Sequence, residues 1–132
     1  VGALDEVRYT GRKPPESWRG SPAEKVIDLG DLKEATIHFD GTARDCALRY
    51  PKNANVAASV ALAGLGWDVT RAQLIADPSV TRNVHEIEAT GDFGRLHFVI
   101  EGQSLPDNPK SSALTAMSVV QAVARRKQPI GF

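Results

Sequence analysis

The chain has 132 residues, 42% of them hydrophobic and 24% charged, with 16 Lys plus Arg against 16 Asp plus Glu. This is the balance of one soluble globular domain with its own core. Zero formal charge argues against a nucleic acid or an acidic membrane as partner, since either selects a basic excess. Cys46 stands alone, which excludes an intrachain disulfide and a cysteine metal cage, and no stretch is apolar for long enough to span a bilayer.

The chain opens Val1-Gly2-Ala3-Leu4 without an initiator Met or a signal-peptide pattern, and it runs almost at once into a strand over Val7–Arg12. It reads as a piece of a longer protein, and no G-x-G-x-x-G phosphate loop occurs in it. Lys13 to Pro22 is a loop, punctuated by Pro14, Pro15 and Gly20 and pinned by Trp18. Glu34 to Asp40 alternates with period two and predicts a strand. Thr42 is a natural N-cap for a helix over Ala43–Arg49, which Pro51 stops. Cys46, inside that helix, reads as a small packed hydrophobe. A second helix, Asn55–Leu65, is built of small residues that allow close packing, with Gly64 and Gly66 as its stop. Strands follow at Thr70–Ala76, Asn83–Ala89 and Arg95–Glu101, the last two joined as an antiparallel hairpin through Thr90-Gly91-Asp92-Phe93-Gly94. A long helix over Pro109–Arg126 closes the chain, with Asn108 as N-cap. Its apolar face carries Leu114, Met117, Gln121 and Ala124, with Ala113, Val120 and Val123 beside it and Met117 packed in the core. Arg125-Arg126-Lys127 are cations suited to the end of that helix. Strands in runs rather than in βαβ alternation predict an α+β domain: a mixed, largely antiparallel sheet with helices on one face.

Two clusters carry the chemistry, Tyr50-Pro51-Lys52-Asn53-Ala54-Asn55 and Asn83-Val84-His85. Each borders an apolar run, where polar groups are costly without partners. The hairpin pairs Ala89 with Leu96, Ile87 with Phe98 and His85 with Ile100, so His85 falls on the buried face and Asn83 one step further out. A core histidine satisfied by one hydrogen bond is the competing reading. His97 falls opposite Glu88 on the polar face and reads as an exposed charge pair. Because His85 and His97 point to opposite faces, a metal site built from His38, His85 and His97 is not expected. Lys52, Asn53 and Asn55 precede a helix, so helix capping by either asparagine competes with ligand binding at the free N–H groups. Asn108-Pro109-Lys110-Ser111-Ser112 repeats that design, and two such helix starts suit a small dicarboxylate.

The segments Arg12-Lys13-Pro14-Pro15 with Trp18, Phe39-Asp40-Gly41-Thr42-Ala43-Arg44, and Tyr50 through Ala57 resemble L-aspartate dehydrogenase. So do Ala61-Leu62-Ala63-Gly64, Ala76-Asp77-Pro78, Asn83-Val84-His85-Glu86-Ile87, Gly91-Asp92-Phe93-Gly94 and Asn108 through Ser112. The resemblance covers nearly the whole chain in order. It corresponds to the C-terminal catalytic and dimerisation half of that enzyme, without the N-terminal Rossmann half. It implies a fold like the C-terminal domain of dihydrodipicolinate reductase, and a cytoplasmic homodimer. It implies NAD- or NADP-dependent oxidation of L-aspartate to iminoaspartate, then oxaloacetate and ammonia, feeding NAD biosynthesis. The cofactor, held mostly by the absent half, takes the hydride. His85 falls on the family's catalytic histidine and Asn55 on a cofactor contact. From charge and position, and not from the resemblance, Asn83 is expected to orient His85 or bind a carboxylate, and Lys52, Asn53 and Ser111 to bind substrate. A related oxidoreductase for another small amino or imino acid, and a non-catalytic oligomerisation module, are the alternatives. As an isolated dehydrogenase domain the chain is expected to be inactive or nearly so, because the dinucleotide half is missing.

Overall fold

The computed structural model of the chain describes residues 4–102 and 109–124. Strands β1 (Leu4–Lys13), β2 (Thr36–Thr42), β3 (Arg71–Ala76), β4 (Asn83–Gly91) and β5 (Gly94–Gly102) form one sheet in the order β2-β3-β1-β4-β5. β1 and β3 are parallel, and every other neighbouring pair is antiparallel. The helices are α1 (Ala23–Val26), α2 (Ala43–Arg49), α3 (Asn55–Ala63) and α4 (Pro109–Ala124), with 3-10 turns at Pro15–Trp18 and Leu29–Asp31. The expected mixed, largely antiparallel α+β class is the one observed.

Central strand β1 sets the two faces of the sheet. Val7, Tyr9 and Gly11 are buried, with Leu4 brought to the same side by a bulge between Leu4 and Glu6. Against this face pack Val56, Ala57 and Val60 of α3 and Ala116 and Val120 of α4, in one core with Ile87 and Ala89. The other face is polar and carries a hollow of about 260 Å³ lined by Arg8, Thr10, Glu86, Glu88, Arg95 and His97.

Thr42 caps α2 as expected, its hydroxyl accepting from the Asp45 N–H at 3.1 Å. Trp18 is fully buried and donates from Nε1 to the Ile75 carbonyl at 3.0 Å, which pins the loop to β3. β2 lies two residues later than its alternation suggested, and a bulge between Ile37 and Phe39 buries His38 and Phe39 together. α3 ends at Ala63, two residues before the expected Leu65. On α4 Val120 is buried on the apolar side expected for it, together with Ala116, whereas Leu114 is 62% exposed and Met117 only half-buried. The small side chains of α3 let the two helices approach closely, and that gap accepts Ala116 and Val120 rather than longer side chains. Asn108 and Arg125-Arg126-Lys127 lie outside the described residues.

The registers gather one end of the sheet. Lys13 pairs with Ala76, Ala76 with Thr36, Gly11 with His85, and Asn83 with Gly102. α2 starts at the opposite end, where Ala43 N–H bonds the Thr70 carbonyl at 2.8 Å. It returns to the His85 end, where Tyr50 meets His38. α3 then runs away from that end. A methyl group on Gly64, just past α3, would stand 3.1 Å from Val120 and 3.4 Å from Leu4. α4 packs along α3 in the same direction and carries Val120 to the Leu4 end, beside Gly64. Both long helices therefore point their N-termini toward His85.

Arg12 ties this end together. It donates to Asp77 at 2.7 Å and lies 3.8 Å from Glu86, joining β1 to residues that follow β3 and sit on β4. Burial raises the Asp77 carboxyl, but hydrogen bonds from the Ser79 hydroxyl and N–H and from Arg12 outweigh it, so its pKa lies below the ordinary 3.8. A lowered folded value contributes stability above the unfolded value and loses it as pH falls through the folded one. Arg12→Ala should therefore cost about 1–3 kcal/mol near neutral pH. Chemical denaturation at a series of pH values should show that difference shrinking below pH 3.8. A pH-independent difference would mean that the pair is not its source.

Candidate active site

His85 lies on β4, on the helix-covered face, 5% exposed. The hairpin has the expected register: Ala89 opposite Leu96, Ile87 opposite Phe98, and His85 opposite Ile100. On its other side His85 faces Gly11 of β1, and Ile87 faces Tyr9. The Tyr9 ring folds along its own strand over Gly11, so that its hydroxyl meets His85 Nδ1 at 2.8 Å. The two rings are stacked, with centroids 6.0 Å apart and an interplanar angle of 24°. A Cβ on residue 11 would stand 2.6 Å from the Tyr9 hydroxyl, closer than packed atoms come. Glycine is the residue that leaves the hydroxyl its seat. Burial, with a smaller push from Cys46, raises the Tyr9 phenol well above its ordinary value. Tyr9 therefore keeps its proton and can donate it to Nδ1, which puts the ring proton of a neutral His85 on Nε2. Asn83, 4% exposed, lies one step outward on the same face.

The second cluster comes to the same end of the sheet. Tyr50 ends α2, its N–H bonding the Cys46 carbonyl at 2.8 Å, and its own carbonyl accepts from Asn53 N–H at 2.9 Å. That turn buries Ala54, which becomes the N-cap of α3 with no side-chain cap bond. Neither Asn53 nor Asn55 performs the capping that competed with a ligand role. Lys52 and Asn55 are exposed and Asn53 is half-buried. The first N–H groups of α3, without a side-chain cap, suit an anionic group such as a carboxylate or phosphate. The side chains of Lys110, Ser111 and Ser112 lie outside the described residues.

The other expected groups separate from this site. His97 is opposite Glu88 in register, but its ring reaches diagonally to Glu86 at 3.4 Å, because Arg95 holds Glu88. His38 is buried on β2, with Nδ1 2.9 Å from the Tyr50 hydroxyl. Among the described residues no group of three His, Cys, Asp or Glu side chains is disposed to hold a metal. Cys46 is fully buried and its thiol is pushed up to about 11 by burial, as befits a packing residue.

A family model described as aspartate dehydrogenase, C-terminal, matches residues 1–126. The chain belongs to the aspartate dehydrogenase C-terminal family. It is 58% identical over 137 residues to the L-aspartate dehydrogenase of Ruegeria pomeroyi, covering 96% of this chain and 50% of that protein. It is 56% identical over 132 residues to that of Cupriavidus necator, covering all of this chain and 50% of the relative. The crystal structure of aspartate dehydrogenase from Thermotoga maritima superposes with a TM-score of 0.61 at 25% identity, over 99% of this chain and 53% of that one. The chain thus spans about half the length of the relatives it matches.

Within this aspartate dehydrogenase C-terminal domain, Tyr9 and Gly11 join the candidate site beside His85 without any motif in the sequence that assigns them there. The available signal was a Tyr-x-Gly step in a buried strand, where an aromatic ring can cover the glycine. Its partner lies 76 positions away in the chain, so neither residue points to the histidine by spacing. Gly11→Ala should lower stability by about 1–3 kcal/mol through overpacking. Tyr9→Phe is costly by itself because it takes the hydroxyl away from His85 Nδ1, but in that background Gly11→Ala should cost less than in the wild type, because the closest atom is gone. Thermal unfolding of the two single variants and the double checks this, and an undiminished Gly11→Ala cost in the Tyr9→Phe background would place the clash elsewhere.

Proposed function

We propose that the protein carrying this chain is an NAD(P)-dependent L-aspartate dehydrogenase and that this chain is its catalytic and dimerisation half, a single domain. A Rossmann domain elsewhere in the protein would hold most of the dinucleotide. The observation that carries the reading is the Tyr9-bound His85 at the sheet end toward which α3 and α4 point their N-termini. Membership of the family and the names of its relatives agree with it.

The reaction converts L-aspartate and NAD(P)+ to iminoaspartate, NAD(P)H and a proton. Water then converts the imine to oxaloacetate and ammonia, and imine that escapes hydrolysis is available to NAD biosynthesis. When bound, the nicotinamide ring supplies the hydride acceptor. Asn55 and the uncapped start of α3 would hold part of that cofactor. Lys52 and Asn53, with Ser111 at the start of α4, would bind substrate carboxylates. His85 would handle the proton exchanged at the amine or at the attacking water, a role suited to imidazole near neutral pH. Asn83, on the same face, would orient His85 or hold a carboxylate. The open sheet face carries both signs of charge, Arg8 and Arg95 with Glu86 and Glu88, which is compatible with a self-complementary contact between two copies. We assign the homodimer contact to it, in a cytoplasmic enzyme.

The complete protein should reduce NAD or NADP when given aspartate, and His85→Ala should lower kcat by about 100-fold or more. Full activity in that variant would demote His85 to a structural histidine. Lys52→Ala should raise the aspartate KM about tenfold with little change in kcat, as loss of one charge-assisted contact does. An unchanged KM would remove Lys52 from the site. The parallel assay with other small amino acids separates aspartate from its near relatives as substrate.

A further inference from the structure

The segment presenting Lys52, Asn53 and Asn55 is anchored at its start by Tyr50. Tyr50 is 2% exposed and sits among three rings: Trp18 at 6.0 Å, His38 at 5.4 Å and Phe39 at 5.7 Å between centroids. Trp18 meets the His38 ring edge-on at 4.3 Å, and Lys13 lies over Trp18 at 4.9 Å. The Tyr50 hydroxyl meets His38 Nδ1 at 2.9 Å. Packing alone does not call for this pair. Phenylalanine or leucine would fill both places without desolvating a polar atom, and His38 Nε2 is buried with no hydrogen-bond partner among the described residues. A polar pair kept at that expense supplies what packing lacks, namely a directional bond that fixes where Tyr50 stands.

We propose that His38 and Tyr50 are positioning residues whose hydrogen bond fixes the turn that presents Lys52, Asn53 and Asn55 to cofactor and substrate. The inference rests on the ligand roles proposed above for those three residues. Side-chain and backbone bonds of Tyr50 act together: the hydroxyl is tied to β2, the N–H to Cys46, and the carbonyl to Asn53. The bulge in β2 is part of the device, because it turns His38 inward beside Phe39 instead of outward. Burial, helped by the charge of Lys13, lowers the His38 pKa to about 4, so the ring stays neutral and the bond persists through the working pH range.

The test uses the complete protein and four variants: Tyr50→Phe, the double His38→Phe/Tyr50→Phe, Lys52→Ala and His85→Ala. Fluorescence titration with NADH and NADPH gives dinucleotide affinity, steady-state kinetics gives the aspartate KM and kcat, and calorimetry gives Tm. Tyr50→Phe should weaken the dinucleotide and raise the aspartate KM, each about fivefold or more, with kcat within twofold of wild type. The double variant, which removes the stranded imidazole, should regain Tm while both constants stay weak. Wild-type affinity and KM in Tyr50→Phe, or their recovery together with Tm in the double variant, would make the pair purely structural and overturn the proposal. If Lys52→Ala changes nothing while Tyr50→Phe weakens both constants, the role of Lys52 fails and the positioning stands through Asn53 and Asn55. Full activity of His85→Ala would sink the catalytic assignment without touching the titration.

Discussion

A buried imidazole on a sheet must find a partner, and the 2.8 Å bond from Tyr9 to His85 is available in one register of β1 against β4. A slip of one residue would carry Tyr9 and Gly11 to the polar face and put Arg8 or Arg12 into the core. The same register places Arg12 between Asp77 and Glu86, and leaves Arg8 and Thr10 beside Glu86 and Glu88 on the open face. Specificity of strand pairing and placement of the candidate catalytic group are therefore one constraint. Gly11 is its fulcrum, since any Cβ there would displace the hydroxyl that both depend on.

The two ends of the sheet divide the labour. At the Leu4 end, Gly64 and Val120 close the core with apolar contacts. At the other end polar groups are hydrogen-bonded in pairs: Tyr9 with His85 and Tyr50 with His38, both buried, and the half-buried Arg12 with the buried Asp77. Polar burial of that density costs stability unless each group is matched. Two tyrosine–histidine pairs on different strands serve one region. One holds an imidazole on the sheet, and the other holds the turn that leads into α3.

Much of this was legible in the sequence where the signal was local. The hairpin register followed from the glycines of the turn and the period of two, and the Thr42 cap of α2 from one residue type at one position. The pairing of β1 with β4 was not legible, because it joins segments more than 70 residues apart and alternation alone does not say which strands meet. The bulge at His38 breaks the alternation that made β2 visible, so the burial of that histidine was hidden. On α4, hydrophobicity favoured Leu114 and Met117, whereas close approach to α3 selected Ala116 beside the expected Val120. Asn53 and Asn55 looked like caps, and the turn at Tyr50 assigned that position to Ala54 instead.

On the proposed function, substrate and cofactor meet at the His85 end of the sheet, on the helix-covered face. A crystal structure of the complete protein with a nicotinamide dinucleotide and aspartate should then hold the substrate within hydrogen-bond reach of His85, with the Lys52–Asn55 segment and the start of α3 against the ligands. Ligands seated on the open face among Arg8, Glu86 and His97, with His85 enclosed by protein alone, would contradict it.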